Sequence, residues 1–114
     1  MREGDIVLTP IAQADGRVKN RPAVLLREMP PFGDFLVCGV SSQLQQQVQG
    51  FDEIISRQDV DFVESGLLKD SLIRLGFLAV LPSEKIVGSI GKISPLRHRR
   101  LLQTLGNYLT SQSV

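Results

Sequence analysis

Residues 20–26 read Asn-Arg-Pro-Ala-Val-Leu-Leu, and no other stretch says as much about the fold. After a polar start, its last four residues are apolar without interruption, which is typical of a strand buried on both faces. Proline is tolerated at the start of such a strand, where its missing N–H breaks no ladder bond. The sequence therefore predicts a buried β-strand that begins at Pro22 and follows a polar loop.

Short apolar segments separated by turn signals predict further strands on both sides of this one. Turn signals stand at Asp15-Gly16 and in residues 29–34, and residues 43–49 form a polar, glutamine-rich loop. The predicted strands cover residues 5–9, 22–26, 35–40, 51–55 and 87–93, with one long bent strand or two strands within residues 67–81. Residues 59–65 predict a turn, and residues 82–85 predict a turn or a helical hook.

One helix is predicted at the end of the chain. Ser94 is a suitable N-cap and Pro95 a suitable first helical residue. An apolar stripe follows with helical spacing at Leu101, Leu105, Tyr108 and Leu109. With about five to seven short strands before it, this helix completes an α+β, mostly β, compact barrel in a single domain of residues 1–114.

Composition narrows the class of protein. The chain has 114 residues, of which 42% are hydrophobic and 22% charged, an ordinary globular balance. No apolar run reaches the length of about 18 residues that a membrane-spanning helix needs, and residues 1–5 do not resemble a signal peptide. The single cysteine, Cys38, has no partner for an internal disulfide. We therefore expect a cytoplasmic protein without a membrane partner.

The net charge of +1 does not by itself indicate a protein that binds nucleic acid. Residues 1–50 carry five basic and five acidic side chains, residues 51–90 four and seven, and residues 91–114 four and none. Any RNA-binding surface must therefore be local. Arg97, Arg99 and Arg100 crowd the first half of the predicted helix beside His98. These arginines are interpreted either as a solvated face or as the contact for a surface partner.

Several kinds of site are disfavoured. One histidine and one cysteine, sixty residues apart, do not form a zinc set, and no phosphate-binding glycine-rich loop has the required spacing. No clustered acidic motif indicates a metal, so neither a metal nor another cofactor is predicted. His98 is interpreted as an ordinary surface residue rather than as a general base. Arginine, hydroxyl and carboxylate groups at strand ends remain.

Arg21 is the strongest of these candidates, because it immediately precedes the buried strand and a rigid strand start can hold its guanidinium in place. The planar fork of arginine can bind two phosphate oxygens and stabilise charge that builds up on them. The alternative is a surface arginine paired with an acid. Ser41 and Ser42, at the end of the third predicted strand, either belong to a site or satisfy backbone groups. Asp70 is either exposed to solvent or part of a polar site.

Three segments, taken together, resemble the MazF/PemK family of toxin endoribonucleases from type II toxin–antitoxin systems. They are residues 4–7 (Gly-Asp-Ile-Val), residues 20–26, and residues 40–43 (Val-Ser-Ser-Gln). The order and spacing match the family's Gly-Asp start, its Arg-Pro before the second strand, and its Thr or Ser after the third. The resemblance implies an SH3-like small barrel of the CcdB/PemK type and a homodimer. It also implies metal-independent cleavage of single-stranded RNA and neutralisation by an antitoxin.

The resemblance also assigns roles to residues. Arg21 matches the arginine that stabilises the phosphorane, and Ser41 matches the threonine that hydrogen-bonds the transition state. Asp70 falls near the position where some members place an acid used as a base. The candidate RNA-binding residues are Arg17, Lys19, Asn20, Ser42 and Gln43. Phe32 and Phe51 are candidates for stacking on bases.

Two departures and two alternatives stay open. Ser41 replaces the commoner threonine, and the loop before Arg21 lacks the family's Gly-Ser-Glu-Gln stretch, and with it a glutamate. The proton acceptor is therefore unidentified if Asp70 lies outside the site. One alternative is a non-enzymatic toxin of the same fold, like CcdB, which binds DNA gyrase. The other is a non-catalytic nucleic-acid-binding or protein-interaction barrel that acts through Arg97, Arg99 and Arg100.

Overall fold

The computed structural model describes residues 1–12 and 14–112, which form one six-stranded antiparallel sheet and two helices. The spatial order of the strands is β4-β5-β3-β2-β1-β6. The strands are β1 (Asp5–Ala12), β2 (Val18–Met29), β3 (Asp34–Ser41), β4 (Glu53–Ile55), β5 (Ser71–Leu81) and β6 (Gly88–Lys92). The helices are α1 (Phe62–Ser65) and α2 (Pro95–Thr110), and single 3₁₀ turns span Leu44–Gln46 and Ser83–Lys85. The predicted mostly β, α+β class with a C-terminal helix is confirmed.

The buried strand predicted from Pro22 is the centre of the sheet but longer than expected. Ala23, Val24, Leu25 and Leu26 are buried, as predicted for a strand covered on both faces. β2 extends back to Val18 because Val18–Arg21 pair with the end of β1. β1 in turn runs through Pro10, where a strand end was predicted. β6 pairs with β1 only up to Leu8, so Pro10 lies where β1 has a free edge, a position that tolerates proline.

Of the two options predicted for residues 67–81, one bent strand is observed, and it begins at Ser71. Its pairing with β3 shifts between Cys38, opposite Leu78, and Gly39, opposite Arg74. Three residues of β5 therefore lie between positions that are adjacent in β3, which bends the strand as a bulge does. β4 pairs only with Ser71–Ile73, so the second half of β5 has an edge that β4 does not cover.

The curled sheet has a hydrophobic core on each face. The core on the α2 side contains Ile6, Val24, Leu26, Cys38, Val40, Ile55, Ile73, Leu75, Ile93, Leu101 and Leu105. The core on the opposite face contains Val7, Ala23, Leu25, Phe35, Val37 and Ile86. Both cores draw on alternate residues of β2 and β3, as expected for strands whose side chains point to opposite faces in turn.

The helix begins as predicted, with the Ser94 hydroxyl accepting a 3.1 Å bond from the N–H of Arg97. The predicted apolar stripe is only half covered. Leu101 and Leu105 are buried, whereas Tyr108 and Leu109 remain largely exposed. The predicted turn of residues 59–65 contains the one-turn helix α1, and the predicted hook is the 3₁₀ turn at Ser83–Lys85. No helix among residues 1–12 and 14–112 is long and apolar enough to cross a membrane.

Candidate active site

The ends of β2 and β3 bring Arg21 and Ser41 to one cleft. Ala23 pairs with Gly39, and Arg21 and Ser41 lie two residues beyond that pair on their own strands. Because side chains two apart in a strand share a face, both project to the side of Ala23. The cleft has a volume of about 260 Å³ and is lined by Arg21, Pro22, Gly39, Val40, Ser41, Ser42, Gln43, Arg74 and Phe77. Four sequence-predicted site residues, Arg21, Ser41, Ser42 and Gln43, thus meet in one place.

Arg74 lines the same cleft and was missed by the sequence analysis. It pairs with Gly39 across β3 and β5, which places its side chain beside those of Arg21 and Ser41. The Arg74 guanidinium carbon lies 5.3 Å from the centre of the Phe77 ring, within the range of a cation–π contact. A signal was present in the sequence, since Arg74 is the one charged residue within residues 71–81.

Two guanidinium groups and no carboxylate or imidazole stand among the described residues that line the cleft. A concave site with one sign of charge raises the local concentration of ligands of the opposite sign. Two arginine forks can share the oxygens of one phosphate or bind two successive phosphates. The cleft is therefore suited to bind a phosphodiester.

The Ser41 hydroxyl has a local structural contact. Its oxygen accepts a 3.0 Å bond from the backbone N–H of Gln43, which fixes the chain as it leaves β3. This is the backbone-satisfying role that the sequence analysis kept as an alternative. That bond uses an oxygen lone pair and not the hydroxyl proton. Ser41 can therefore hold the turn and donate a hydrogen bond to a ligand in the cleft at the same time.

Asp70, the predicted base, does not line the cleft. It lies just before β5, and its Oδ1 accepts a 2.9 Å bond from the backbone N–H of Arg57. Leu72, two residues further on, is the partner of Ser41 in the sheet. The carboxylate is thus close along the chain to the site but holds the loop that contains Arg57.

The three predicted RNA-binding residues of the β1–β2 hairpin are exposed; Lys19 and Asn20 lie in β2 before Arg21, and Arg17 lies in the turn before β2. Lys19 and Asn20 pair with Ile11 and Pro10. Arg17 contacts Asp15, with 3.7 Å between Nε and Oδ2. A fully exposed pair of this kind contributes little to stability, so the Arg17 guanidinium can exchange Asp15 for a phosphate at little cost. None of the three lines the cleft itself.

The basic face predicted on α2 is wrong for Arg97, whereas Arg99 and Arg100 are exposed. Arg97 is 7% exposed and points inward. Its guanidinium nitrogens lie 2.8 Å from Asp61, 2.9 Å from Glu53 and 3.1 Å from Asp59. Arg100 binds the same Glu53 at 2.7 Å. Acids within residues 51–61 thus pair with Arg97 and Arg100, a long-range pairing that helical spacing alone does not indicate.

The same contacts shift pKa values in this network. Burial alone would raise the pKa of Asp61, but hydrogen bonds from the Arg97 side chain and the Ser94 backbone N–H hold it below its ordinary value. Burial likewise opposes the charge on Arg97, and its acidic partners raise the pKa of its guanidinium nonetheless. The cluster holds α2, β4 and the segment that precedes α1 together.

The interpretation of His98 as a surface residue is also wrong. The side chain is half-buried, and its Nε2 lies 2.8 Å from the carbonyl oxygen of Leu26, the last buried residue of β2. This distance fits a hydrogen bond in which Nε2 donates, which ties α2 to the centre of the sheet. Within the part of the chain that the structure describes, no group of three His, Cys, Asp or Glu side chains is arranged to hold a metal.

Phe32 and Phe51, the candidate stacking residues, lie away from the cleft. Phe32 is 86% exposed in the turn between β2 and β3, at the opposite end of β3 from Ser41. The Phe51 ring packs against Tyr108, with ring centres 5.1 Å apart. These two rings border a second, larger groove of about 850 Å³ between β5 and the end of α2. That groove is mainly apolar, and Leu75, Leu78 and Leu109 contribute to it.

Comparison with known proteins identifies the fold. No protein-family model matches the chain, and no curated protein matches it significantly. Among solved structures, the Mycobacterium tuberculosis toxin MazF-mt6 matches with a TM-score of 0.66 and 18% sequence identity. The match covers 96% of this chain and 99% of the toxin. The six antiparallel strands, the C-terminal helix and this match over nearly the whole length together show that the chain has a MazF-like toxin fold.

Proposed function

We propose that this chain is a toxin-type endoribonuclease that cleaves single-stranded RNA at short sequence motifs without a metal. The observation that carries the proposal is the meeting of Arg21, Arg74 and Ser41 in one cleft of a MazF-like fold. Two guanidinium groups supply the positive charge that a metal would otherwise supply to a phosphodiester.

The proposed reaction is attack of a ribose 2′-OH on the adjacent phosphorus. The O2′–P bond forms and the bond from phosphorus to the 5′ oxygen breaks, which leaves a 2′,3′-cyclic phosphate. The departing 5′ oxygen takes a proton from water and becomes a 5′-OH end. Negative charge accumulates on the non-bridging oxygens of the phosphorane between these steps. Arg21 stabilises this charge with its planar fork, and Ser41 donates its hydroxyl hydrogen bond to one of the same oxygens.

The proton of the 2′-OH needs an acceptor, and neither arginine is one, because guanidinium groups stay protonated at neutral pH. Asp70 remains the proposed acceptor. Because its Oδ1 accepts the N–H of Arg57, it would act on the substrate through its second oxygen. If so, Asp70→Asn lowers kcat and removes the acidic limb of the pH–rate profile. If Asp70 only holds the loop, the amide oxygen of the variant still accepts the N–H of Arg57, and both kcat and the shape of that profile stay nearly unchanged.

The RNA path and the assembly follow from the surface around the cleft. Single-stranded RNA would run from the cleft along Arg17, Lys19 and Asn20, with Ser42 and Gln43 beside the scissile phosphate. A second copy of the chain would cover the apolar groove between β5 and α2, where Tyr108 and Leu109 are exposed. A cytoplasmic antitoxin would neutralise the protein by covering the cleft. Sedimentation of the purified chain tests the homodimer, and a short neighbouring reading frame would indicate the antitoxin.

The direct test is incubation of the purified protein with a mixed RNA pool in the presence of a chelator. We expect cuts at a short motif that leave 2′,3′-cyclic phosphate ends. Arg21→Ala should lower kcat by roughly 10²–10³-fold, the effect of removing one oxyanion donor in other enzymes. Ser41→Ala should also lower kcat, and Ser41→Thr should retain activity because it keeps the hydroxyl.

Arg99→Ala is the matched control, since Arg99 is an exposed arginine on α2 outside the cleft. Equal cutting by Arg21→Ala and Arg99→Ala would refute the proposed role of the cleft. Absence of any cleavage, together with capture of DNA gyrase, would favour the CcdB-like alternative. The non-catalytic reading based on the arginines of α2 loses its main support, because Arg97 is buried and Arg100 is paired with Glu53.

A further inference from the structure

Phe77 lies in the cleft with a large part of its ring exposed. The residue is 43% exposed although its side chain is apolar and belongs to a strand of the sheet. It faces the cleft and not the apolar groove. Phe77 lines the cleft, whereas its neighbour Leu78 lines the apolar groove. An exposed aromatic ring beside two arginines needs an explanation other than packing.

The ring is held in place from two sides. Gly39 lies beneath it, where an added Cβ would be 3.5 Å from the ring, the distance of ordinary contact. Arg74 lies over the ring at 5.3 Å. A glycine at this point lets the ring lie directly on the backbone of β3, between the strands that carry Arg21 and Arg74. Arg74 is the sheet partner of Gly39, and Phe77 lies in the bulge of β5 that follows Arg74. The bulge therefore lets the ring lie on Gly39.

We infer that Phe77, together with the Arg74 guanidinium, forms a stacking platform for one nucleobase next to the scissile phosphate. The inference rests on the proposed RNA substrate and deepens it by naming what binds the base. Single-stranded nucleic acid is bound by pairing charged side chains with the phosphates and aromatic rings with the bases. The cleft contains both parts, since Arg21 and Ser41 serve the phosphate and Phe77 presents the flat apolar surface.

If Phe77 stacks on a base, different residues of the cleft provide affinity and sequence preference. Stacking depends little on base identity, because every base has an aromatic face. Phe77 therefore supports affinity and positioning, and hydrogen bonds from neighbouring residues such as Gln43 supply the sequence preference. Loss of the ring should appear in KM more than in kcat, whereas loss of the Arg21 guanidinium should appear in kcat.

Fluorescence provides a direct measurement that does not depend on cleavage. The chain has no tryptophan, so Phe77→Trp introduces a single indole into the cleft. A short single-stranded RNA with 2′-O-methyl groups throughout has no 2′-OH to attack and remains intact. We expect this RNA to quench the indole. Moving one abasic nucleotide along the RNA should abolish the quenching at one position only.

Affinity for the same 2′-O-methyl RNA tests the native ring. Phe77→Ala should weaken binding by roughly 5- to 150-fold, the range for loss of one base–aromatic stack. Phe77→Tyr should restore most of the affinity, and Phe77→Leu, which is apolar but not aromatic, should restore little. Phe32→Ala is the matched control, because Phe32 is exposed at the opposite end of β3.

Three outcomes would overturn the inference. The first is unchanged affinity in Phe77→Ala, and the second is equal affinity in the Leu and Tyr variants. The third is a change of oligomeric state in Phe77→Ala, with both the native oligomeric state and RNA binding restored in Phe77→Leu. That result would show that the ring belongs to a subunit interface. Quenching of Phe77→Trp by RNA without any cleavage by the native protein would support the platform and refute the proposed reaction. Cleavage by the native protein without quenching of Phe77→Trp would support the proposed reaction and refute the platform.

Discussion

Replacement of Arg97 by alanine should destabilise the protein more than replacement of any exposed arginine. The Arg97 side chain is the centre of a buried network that joins α2 to β4 and to the segment before α1. Removing it leaves Asp61, which is 5% exposed, without its closest cation. Asp61 keeps only the backbone N–H of Ser94 as a donor from α2.

The expected loss can be estimated from the burial of the partners. Breaking a buried ion pair by removing one partner costs about 3–5 kcal/mol, mostly because an uncompensated charge stays buried. Glu53 keeps Arg100 as a partner and Asp59 is partly exposed, so Asp61 dominates the cost. We therefore expect a loss of about 3–5 kcal/mol, a large part of the roughly 5–15 kcal/mol that stabilises a typical domain.

Urea unfolding monitored by circular dichroism measures this loss. Arg99→Ala, on the same helix but exposed, should change the free energy of unfolding by less than about 0.5 kcal/mol. Adding Asp61→Asn to Arg97→Ala should recover part of the loss, because the buried charge disappears while an amide oxygen still accepts the N–H of Ser94. A loss below about 1 kcal/mol for Arg97→Ala, or no recovery in the double variant, would refute the reasoning.

Three further predictions concern the rest of the molecule. The pKa of Asp61 is lower in the folded protein than its ordinary value, so its ionised form stabilises the fold above about pH 4 and the urea midpoint should fall as the pH drops below that value. An unchanged urea midpoint between about pH 5 and pH 2.5 would contradict this. Burial raises the pKa of the Cys38 thiol to about 12, so the thiol reagent DTNB at pH 8 should label it only after unfolding. Rapid labelling of the native protein would instead show that the thiol is accessible. Gly91→Ala should destabilise by about 1–3 kcal/mol, the usual cost of an overpacked site, because its Cβ would collide with the carbonyl oxygen of Glu64. Thermal melting measures this, and Gly106→Ala, whose Cβ would meet nothing within 4 Å, is the control.

Features with a local cause could be predicted from the sequence. The start of α2 follows from Ser94 and Pro95, since capping and the fixed φ of proline act within one turn. The buried run after Pro22 indicated a central strand because hydrophobicity on both faces requires cover on both faces. Arg21 and Ser41 were found for the same reason, as polar residues at the boundaries of apolar strands.

Features with distant partners could not be predicted in this way. Arg97 looked like part of an exposed basic face, and its acidic partners lie 36 to 44 residues earlier in the chain. The stripe through Tyr108 and Leu109 was predicted to be apolar and is exposed, because periodicity shows which side of a helix is apolar and not whether another element covers it. His98 likewise depended on Leu26, 72 residues away.

By itself, then, the sequence determined the buried part of the strand after Pro22, the helix that Ser94 caps, and Arg21 and Ser41 as candidate site residues. Only the tertiary structure decided that Arg74 and Phe77 join them. The physical reason is register: the shift in the pairing of β3 with β5 places Arg74 opposite Gly39 and leaves Phe77 in the bulge beside it. Such a shift depends on how whole strands twist and pack, which no local pattern of residues records.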